Sequence, residues 1–193
     1  MYMGYCNLQC ADGAAGLGFR GVSLYNAKKY SDNTRGTFPG ALMKTHRYAD
    51  LDCFIPVLAS TDKWQAISEL LGSLTTEGLV RDPDLALQDI LDREHTLSTG
   101  MTHGLGLPHA RTQAVSRRCV ALGLCRAGIE FDTIDGLPVH VIFLELSPLH
   151  GVWPHLEYLA DLARAYSDPL WRSELESCTN LAGARRVLER LSS

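Results

Sequence analysis

A stretch rich in histidine and glycine, "HTLSTGMTHGLGLPHAR", spans residues 95–111 and ends close to His109. Histidine side chains serve as metal ligands, general bases or nucleophiles, and some only fill space. Pro108 disfavours a helical conformation at Leu107 and fixes the backbone just before His109. The pattern therefore predicts an imidazole at the end of a short strand, held in place and exposed to a visiting partner.

The glycines of this stretch predict a close approach of another surface, because they carry no side chain. They stand at positions 100, 104 and 106. A metal site is the main alternative, since His95 and His103 are near and further histidines follow at His140, His150 and His155. No pair has the spacing of an HExxH helix, and no carboxylate or thiolate occupies an obvious ligand position. We therefore disfavour a metal, while a nucleophile and a structural histidine both stay open.

The segments that must position this stretch begin near residue 50. "STDKWQAISELLGSL" predicts a helix capped by Ser60 or Thr61. Asp82 and Pro83 start a second helix with the usual cap and first-turn pattern. Near the carboxyl end three more helices are predicted, in "WPHLEYLADLARAY", after Asp168-Pro169 and after Asn180.

Apolar runs between these helices predict strands. The clearest are "CVALGLC" (119–125) and "VHVIFLEL" (139–146), with a turn around Asp135-Gly136 between them. "CFIPVLAS" is a shorter candidate for a strand or a turn. Strands interleaved with helices predict an α/β fold, a single domain with a central mixed β-sheet flanked by helices on both faces.

Residues 1–45 differ from the rest of the 193-residue chain. They are rich in Gly, Asn, Ser and Tyr and show no sustained helix or strand period, so we expect a loosely ordered extension before a domain over residues 46–193. "GLGFRG" at 16–21 has the letters of a dinucleotide motif. No apolar strand precedes it and no acidic residue lies about 20 positions later, so we interpret it as a chance match.

Composition limits the function classes. Hydrophobic residues make up 46% and charged residues 21%, which are globular values. Five basic against two acidic residues give residues 1–45 a net charge of +3, and the total of −4 leaves −7 for residues 46–193. An acidic body disfavours sequence-independent nucleic-acid binding. No run is long and apolar enough to predict direct membrane insertion.

The cysteines and the amino terminus point to the same compartment. Six cysteines occur without a CxxC pair, and "MYMGYCNLQC" makes a poor signal peptide. Both features favour reduced thiols in the cytoplasm. We expect Cys119 and Cys125 to be buried small hydrophobes.

One larger pattern decides between the alternatives for His109. "REHTLSTGMTHGLGLPHAR" resembles the signature of enzyme IIA domains of the fructose–mannitol class of the sugar phosphotransferase system, which includes the nitrogen-regulatory IIA proteins. The matching residues are Arg93-Glu94, Ser98-Thr99-Gly100 and the run from Gly104 to His109. "FDTIDGLPVHVIFLELSP", "HLEYLADLAR" and "LASTDKWQAISELL" are similar to further segments of the family, so the resemblance covers roughly residues 48–190. Gly106 departs from it, since alanine is usual there.

The resemblance implies that His109 accepts a phosphoryl group from an HPr-like carrier, and it implies roles for Arg93 and His155. Phosphoryl transfer needs in-line positioning and donors directed at the phosphoryl oxygens, which an arginine fork and a histidine at a helix start can supply. It implies neither a metal nor an organic cofactor. By themselves, Arg93 would complement a helix dipole and His155 would be an ordinary helix start.

Other polar residues of the region stay less defined. Ser98 and Thr99 either bind phosphate or shape the turn, and Asp135 is expected to be a turn residue. His103 is expected to be solvated, and Arg111 stays unassigned. Leu105, Leu107 and Leu137 are core candidates, some of which could serve as a docking patch.

The phosphoryl group has two possible outputs. A nitrogen-type regulatory IIA, slightly favoured here, would use phosphate as a switch on a regulatory target protein. A fructose- or mannitol-like IIA would pass phosphate to a IIB domain for sugar uptake. A degenerate interaction module is disfavoured because Arg93, His109 and His155 are all present.

Overall fold

The computed structural model describes residues 50–150 and 155–192, without the side chains of residues 155, 156 and 192. Its sheet contains five strands: β1 (Cys53–Ile55), β2 (Leu105–Gly106), β3 (His109–Thr112), β4 (Cys119–Ile129) and β5 (Val139–Pro148). The predicted extension over residues 1–45 and its boundary with residue 46 lie outside the described residues and stay predictions.

The sheet is mixed, as predicted. β4 and β5 are antiparallel at its centre, and β1 runs parallel to β4. β2 and β3 both run parallel to β5 along one edge, where Leu105 is the partner of Val141 and His109 that of Glu145. β4 and β5 are longer than the predicted 119–125 and 139–146, because each continues beyond its apolar run.

His109 is the first residue of a strand, so the prediction that it ends one is wrong. Pro108 lacks an amide hydrogen and separates β2 from β3, an arrangement that suits an edge strand. Its carbonyl still accepts a hydrogen bond from the amide of Glu145 at 3.0 Å. β3 therefore begins at His109, which is paired with Glu145 of β5.

Helices cover both faces of the sheet, which confirms the predicted layers. They are α1 (Lys63–Thr76), α2 (Pro83–Thr96), α3 (His155–Tyr166), α4 (Pro169–Glu176) and α5 (Leu181–Glu189). Buried side chains of α1 and α2 form one apolar core with one face of the sheet, and those of α3, α4 and α5 form a second core with the other face. Burying both faces supplies the main driving force for this layered fold.

The starts of α1, α2, α4 and α5 are each capped by a local side chain. Asp82, Asp168 and Asn180 cap α2, α4 and α5 as predicted. The cap of α1 is Asp62, whose carboxylate accepts from the amides of Trp64 and Gln65, so the prediction of Ser60 or Thr61 is wrong. Asp62 directly precedes the helix, and the hydroxyl of Ser60 instead donates to Glu69.

Among residues 50–150 and 155–192, no helix combines the length and the apolar character that crossing a bilayer requires.

Candidate functional site

Both ring nitrogens of His109 contact groups of fixed hydrogen-bonding character. Nδ1 lies 2.7 Å from the carbonyl oxygen of Leu107, and Nε2 lies 3.1 Å from Nε of Arg93, which donates to it. A carbonyl can only accept and a guanidinium can only donate. Nδ1 therefore carries the proton and Nε2 carries the lone pair, which directs the nucleophilic atom of His109 toward Arg93.

Arg93 lies in the last turn of α2 and has two contacts. Besides the imidazole, its Nη1 donates to the carbonyl oxygen of Leu97, the C-cap residue, at 2.8 Å. A cation in this turn also complements the helix dipole. Arg93 can therefore stabilise the end of α2 and act on His109 at the same time, because one guanidinium makes both contacts.

His109 and Arg93 line one cavity of about 300 Å³. Its other walls are mostly apolar and come from the loop after α2, the β2–β3 connection, the turn before β5 and helix α3: Leu97, Ser98, Thr99, Gly100, Met101, Leu107, Ile134, Leu159, Ala160 and Ala163. The cavity lies at the surface, since Leu97 and Ile134 are 69% and 73% exposed. His109 itself is half-buried, rather than exposed as expected, because it lies in the wall of this cavity.

Ser98 and Thr99 line the cavity, yet their hydroxyls have partners within the protein. The Thr99 hydroxyl donates to Glu94 at 2.6 Å, and the Ser98 hydroxyl donates to the carbonyl of Phe131 at 2.7 Å. Lys63 in turn donates to Ser98 at 3.0 Å and lies 2.6 Å from Glu94. These contacts favour the turn-shaping alternative for Ser98 and Thr99.

The glycines at positions 100, 104 and 106 allow another segment of the same chain to pack closely against them. A Cβ at Gly100 would lie 2.6 Å from the carbonyl oxygen of Phe131, so any larger residue would displace the segment that begins there. Gly104 has a φ of +83°, which favours glycine. The surface that approaches closely is therefore the protein's own loop before β5, and the expectation of an approaching partner surface is unsupported at these positions.

The turn before β5 contains Asp135, as predicted. Its carboxylate accepts from the amide of His103 at 2.7 Å and from that of Leu137 at 3.2 Å. The hydrogen bond from the His103 amide is the main reason that the pKa of Asp135 lies below its ordinary value. The His103 side chain is exposed, as expected for a solvated loop residue, and it does not line the cavity.

The remaining candidates divide between core and surface. Leu105 and Leu107 are buried, whereas Leu137 is 52% exposed, so only the first two are core residues. Arg111 donates to the carbonyl of Leu149. His155 is the first residue of α3, one turn before the cavity-lining Leu159. Its side chain lies outside the description, and its role stays a prediction.

Metal ligation has no candidate within the described segments. No three His, Cys, Asp or Glu side chains in residues 50–150 and 155–192 form a group that could hold a metal ion. The described cysteines are Cys53, Cys119, Cys125 and Cys178, and all four are free thiols. Cys119 and Cys125 are buried as predicted, and burial raises the pKa of Cys119 to about 12.

The fold is a mixed sheet with helices on both faces, and a histidine is paired with an arginine at the edge of that sheet. Comparison with known protein families identifies the class of protein that has this arrangement. Residues 49–190 match the family model described as the phosphoenolpyruvate-dependent sugar phosphotransferase system, EIIA 2. The chain belongs to this family, which confirms the resemblance found in the sequence.

One similar protein is named as a sugar-specific component of this system. The PTS system fructose-specific EIIA component of Haloferax volcanii is 41% identical over 100 residues, which are 52% of this chain and 65% of that protein. The matched region thus spans less than two thirds of that relative's length.

Two solved structures share the fold. The crystal structure of Nitrogen Regulatory Protein IIA-Ntr from Neisseria meningitidis is 26% identical, has a TM-score of 0.64, and aligns over 73% of this chain and 94% of its own. The Escherichia coli complex of enzyme IIAMTL and phosphorylated enzyme IIBMTL is 18% identical with a TM-score of 0.59, covering 70% of this chain and 92% of that chain. At that identity the second likeness concerns the fold alone.

Proposed function

We propose that this protein is a phosphoryl carrier of the phosphotransferase system, in which Nε2 of His109 accepts a phosphoryl group from the phosphohistidine of an HPr-like carrier. The observation that carries the proposal is the tautomer set by the two neighbours of the ring. Leu107 holds the proton on Nδ1, and the lone pair on Nε2 lies beside the Arg93 guanidinium.

The transfer step follows from this geometry. The Nε2 lone pair attacks phosphorus, a new N–P bond forms, and the N–P bond of the donor breaks with its electron pair returning to the donor imidazole. The accepting ring gains positive charge as the bond forms, and the Leu107 carbonyl stabilises that charge through the Nδ1 proton. Phosphoryl transfer depends mainly on such positioning and on stabilising charge.

Arg93 has to exchange one partner for another during the step. Its hydrogen bond to Nε2 occupies the lone pair at rest, so the incoming phosphoryl group takes over that donor. The guanidinium fork then binds the phosphoryl oxygens, a geometry that suits arginine better than lysine. We propose that His155, at the start of α3, contributes a second donor to the same group.

The rim of the cavity suits a protein-sized donor. Leu97, Ile134 and Leu137 are large apolar side chains, each more than half exposed, and the first two line the cavity that contains His109. Exposed apolar groups beside a reactive atom favour docking of another protein. We propose that this rim binds the HPr-like carrier and, after transfer, a IIB domain or a regulatory target.

Two outputs are consistent with the comparisons. We propose the nitrogen-type regulatory output first, as a switch in the cytoplasm, in line with the fold likeness to the IIA-Ntr structure. The second candidate is transfer to a IIB domain during sugar uptake. It is favoured by the 41% identity to a fructose-specific EIIA component.

One experiment separates these outputs. The full chain is incubated with HPr or its nitrogen-branch equivalent, carrying a radioactive phosphoryl group, and then with separate IIB domains. Labelling of the chain supports the carrier proposal, and absence of labelling with both carriers contradicts it. Onward movement of the label to a IIB domain supports the sugar output, whereas a label that stays on the chain supports the switch.

A further inference from the structure

Beneath the cavity lies a buried ion pair that the proposed transfer step does not use. Nζ of Lys63 is 2.6 Å from Oε1 of Glu94, and the two side chains are 8% and 1% exposed. Lys63 also lies 3.5 Å from the exposed Asp132 and 4.8 Å from the ring centre of Phe131. Lys63 belongs to α1 and Glu94 to the last turn of α2, so the pair connects two helices below the site.

A buried ion pair stabilises the packing of two helices poorly, because both charges lose their hydration. Removing both charges from water is unfavourable, and apolar residues of similar volume often stabilise a fold equally well. A buried carboxylate does, however, fix the geometry around it, because strong hydrogen bonds to its oxygens hold their donors in place. The partners of Glu94 therefore indicate its purpose.

Those partners belong to the segment that leads to His109. Glu94 accepts from the amide of Thr99 at 2.9 Å and from its hydroxyl at 2.6 Å. The carbonyl of Thr99 accepts from the amide of Leu107 at 3.1 Å. The carbonyl of Leu107 then holds Nδ1 of His109 at 2.7 Å. An unbroken series of contacts thus connects the buried carboxylate to the imidazole.

The same carboxylate stands next to the other half of the site. Arg93 directly precedes Glu94 in α2 and donates both to Nε2 of His109 and to the carbonyl of Leu97. Leu97 lies two residues before Thr99, whose amide and hydroxyl are both held by Glu94. Hydrogen bonds therefore connect Glu94 through Thr99 and Leu107 to His109 and on to Arg93, and the peptide bond between Arg93 and Glu94 closes the ring.

We infer that Glu94, held by Lys63, is a positioning residue for phosphoryl transfer at His109, because its carboxylate fixes the segment at Thr99, which leads back to the Leu97 partner of Arg93 and on to the Leu107 partner of His109. The inference rests on the proposed function. It assigns Glu94 no contact with the phosphoryl group. It predicts that loosening the ring slows transfer while His109 remains able to accept a full phosphoryl group.

The test compares Glu94→Gln and Thr99→Val with the unaltered chain. Glu94→Gln removes the charge that Lys63 neutralises and one acceptor oxygen, and Thr99→Val removes only the 2.6 Å hydroxyl contact. We expect the initial rate of labelling by the phosphorylated carrier to fall on the order of 10- to 100-fold in Glu94→Gln and by less in Thr99→Val, since misplacements of about 1 Å cost that much. Final labelling should reach one phosphoryl group per chain in both variants.

Glu69→Gln is the matched control. Glu69 also accepts several hydrogen bonds, from the amides of Ala59 and Ser60 and from the Ser60 hydroxyl, but it closes the loop before α1 instead of the site. It should label at the rate of the unaltered chain. If the role of Glu94 were purely structural, Glu94→Gln would behave like Glu69→Gln. Both variants would then lose stability, and both would be labelled at the rate of the unaltered chain.

A second measurement reports on positioning directly. The ¹⁵N resonances of the His109 ring should show the Nδ1–H tautomer in the unaltered chain and in Glu69→Gln, and a mixture of tautomers in Glu94→Gln. A double variant with Arg93→Ala should be slowed less than the product of the single effects, because both residues act through one ring of contacts. Multiplying effects would contradict the inference.

These measurements distinguish a failure of the proposed function from a failure of the positioning role alone. If neither carrier labels the unaltered chain, the proposed function fails. If the chain and Glu69→Gln are labelled quickly and Glu94→Gln equally quickly, only the positioning role fails. Should Glu94→Gln not fold, Thr99→Val decides the question by the same rate comparison.

Discussion

Replacing Arg93 by alanine tests the site most quantitatively. The substitution removes the 3.1 Å hydrogen bond to Nε2 of His109 and, during transfer, the charged donor to the phosphoryl oxygens. A hydrogen bond to a charged group contributes about 1.5–3 kcal/mol. With about 1.4 kcal/mol for each tenfold change in rate, the loss corresponds to a roughly 10- to 150-fold slower transfer. Since Arg93 is half-buried, solvent screening favours the lower part of this range.

The assay is the initial rate of labelling by the phosphorylated carrier, with the final extent of labelling measured on the same samples. Arg93→Ala should be slow and still reach full labelling, because His109 remains. Arg93→Lys should lie between, since lysine keeps the charge and loses the planar fork. Arg81→Ala is the matched control, an exposed arginine just before the opposite end of α2. An Arg93→Ala rate equal to that of this control would refute the assigned role.

Two further predictions concern the rim and the turn beside it. Ile134→Glu should raise the KM for the phosphorylated carrier about fivefold or more, the equivalent of about 1 kcal/mol of docking energy. Leu170→Glu, at an equally exposed leucine of α4, should leave that KM unchanged; a KM unaltered by Ile134→Glu would remove the docking role. Because the pKa of Asp135 is lowered in the folded state, its contribution to the turn is present above its ordinary value of 3.8 and is lost as the pH falls through the lower, folded pKa. The His103 amide resonance should therefore titrate with a midpoint below 3.8, and not at all in Asp135→Asn; a midpoint at or above 3.8 would contradict this origin of the shift.

Local signals predicted the fold well. Asp82 with Pro83 starts α2 as expected because the cap acts on neighbouring amides only. Ser60 failed as a cap of α1 because a distant residue, Glu69, takes its hydroxyl. The mixed sheet followed from apolar runs, but the break before His109 depends on pairing with β5, which no short window of sequence contains.

The site was predictable only in part, for the same reason. His109 and Arg93 came from the family pattern, and the structure brings them together. The glycines suggested room for a partner, although the surface that fills that room is the distant segment at Phe131. Lys63 and Glu94 carried no signal of their mutual contact, because it joins two helices that meet only in the folded chain.

The atom that bears the phosphorus tests the central claim most directly. The chain, labelled with ¹⁵N in its histidines and phosphorylated by the carrier, is measured by ³¹P and ¹⁵N NMR, with His109→Ala and His103→Ala as comparisons. Phosphorus bound to Nε2 of His109, no label in His109→Ala and full label in His103→Ala are the predicted results. Phosphorus on Nδ1, or label that persists in His109→Ala, would contradict the account.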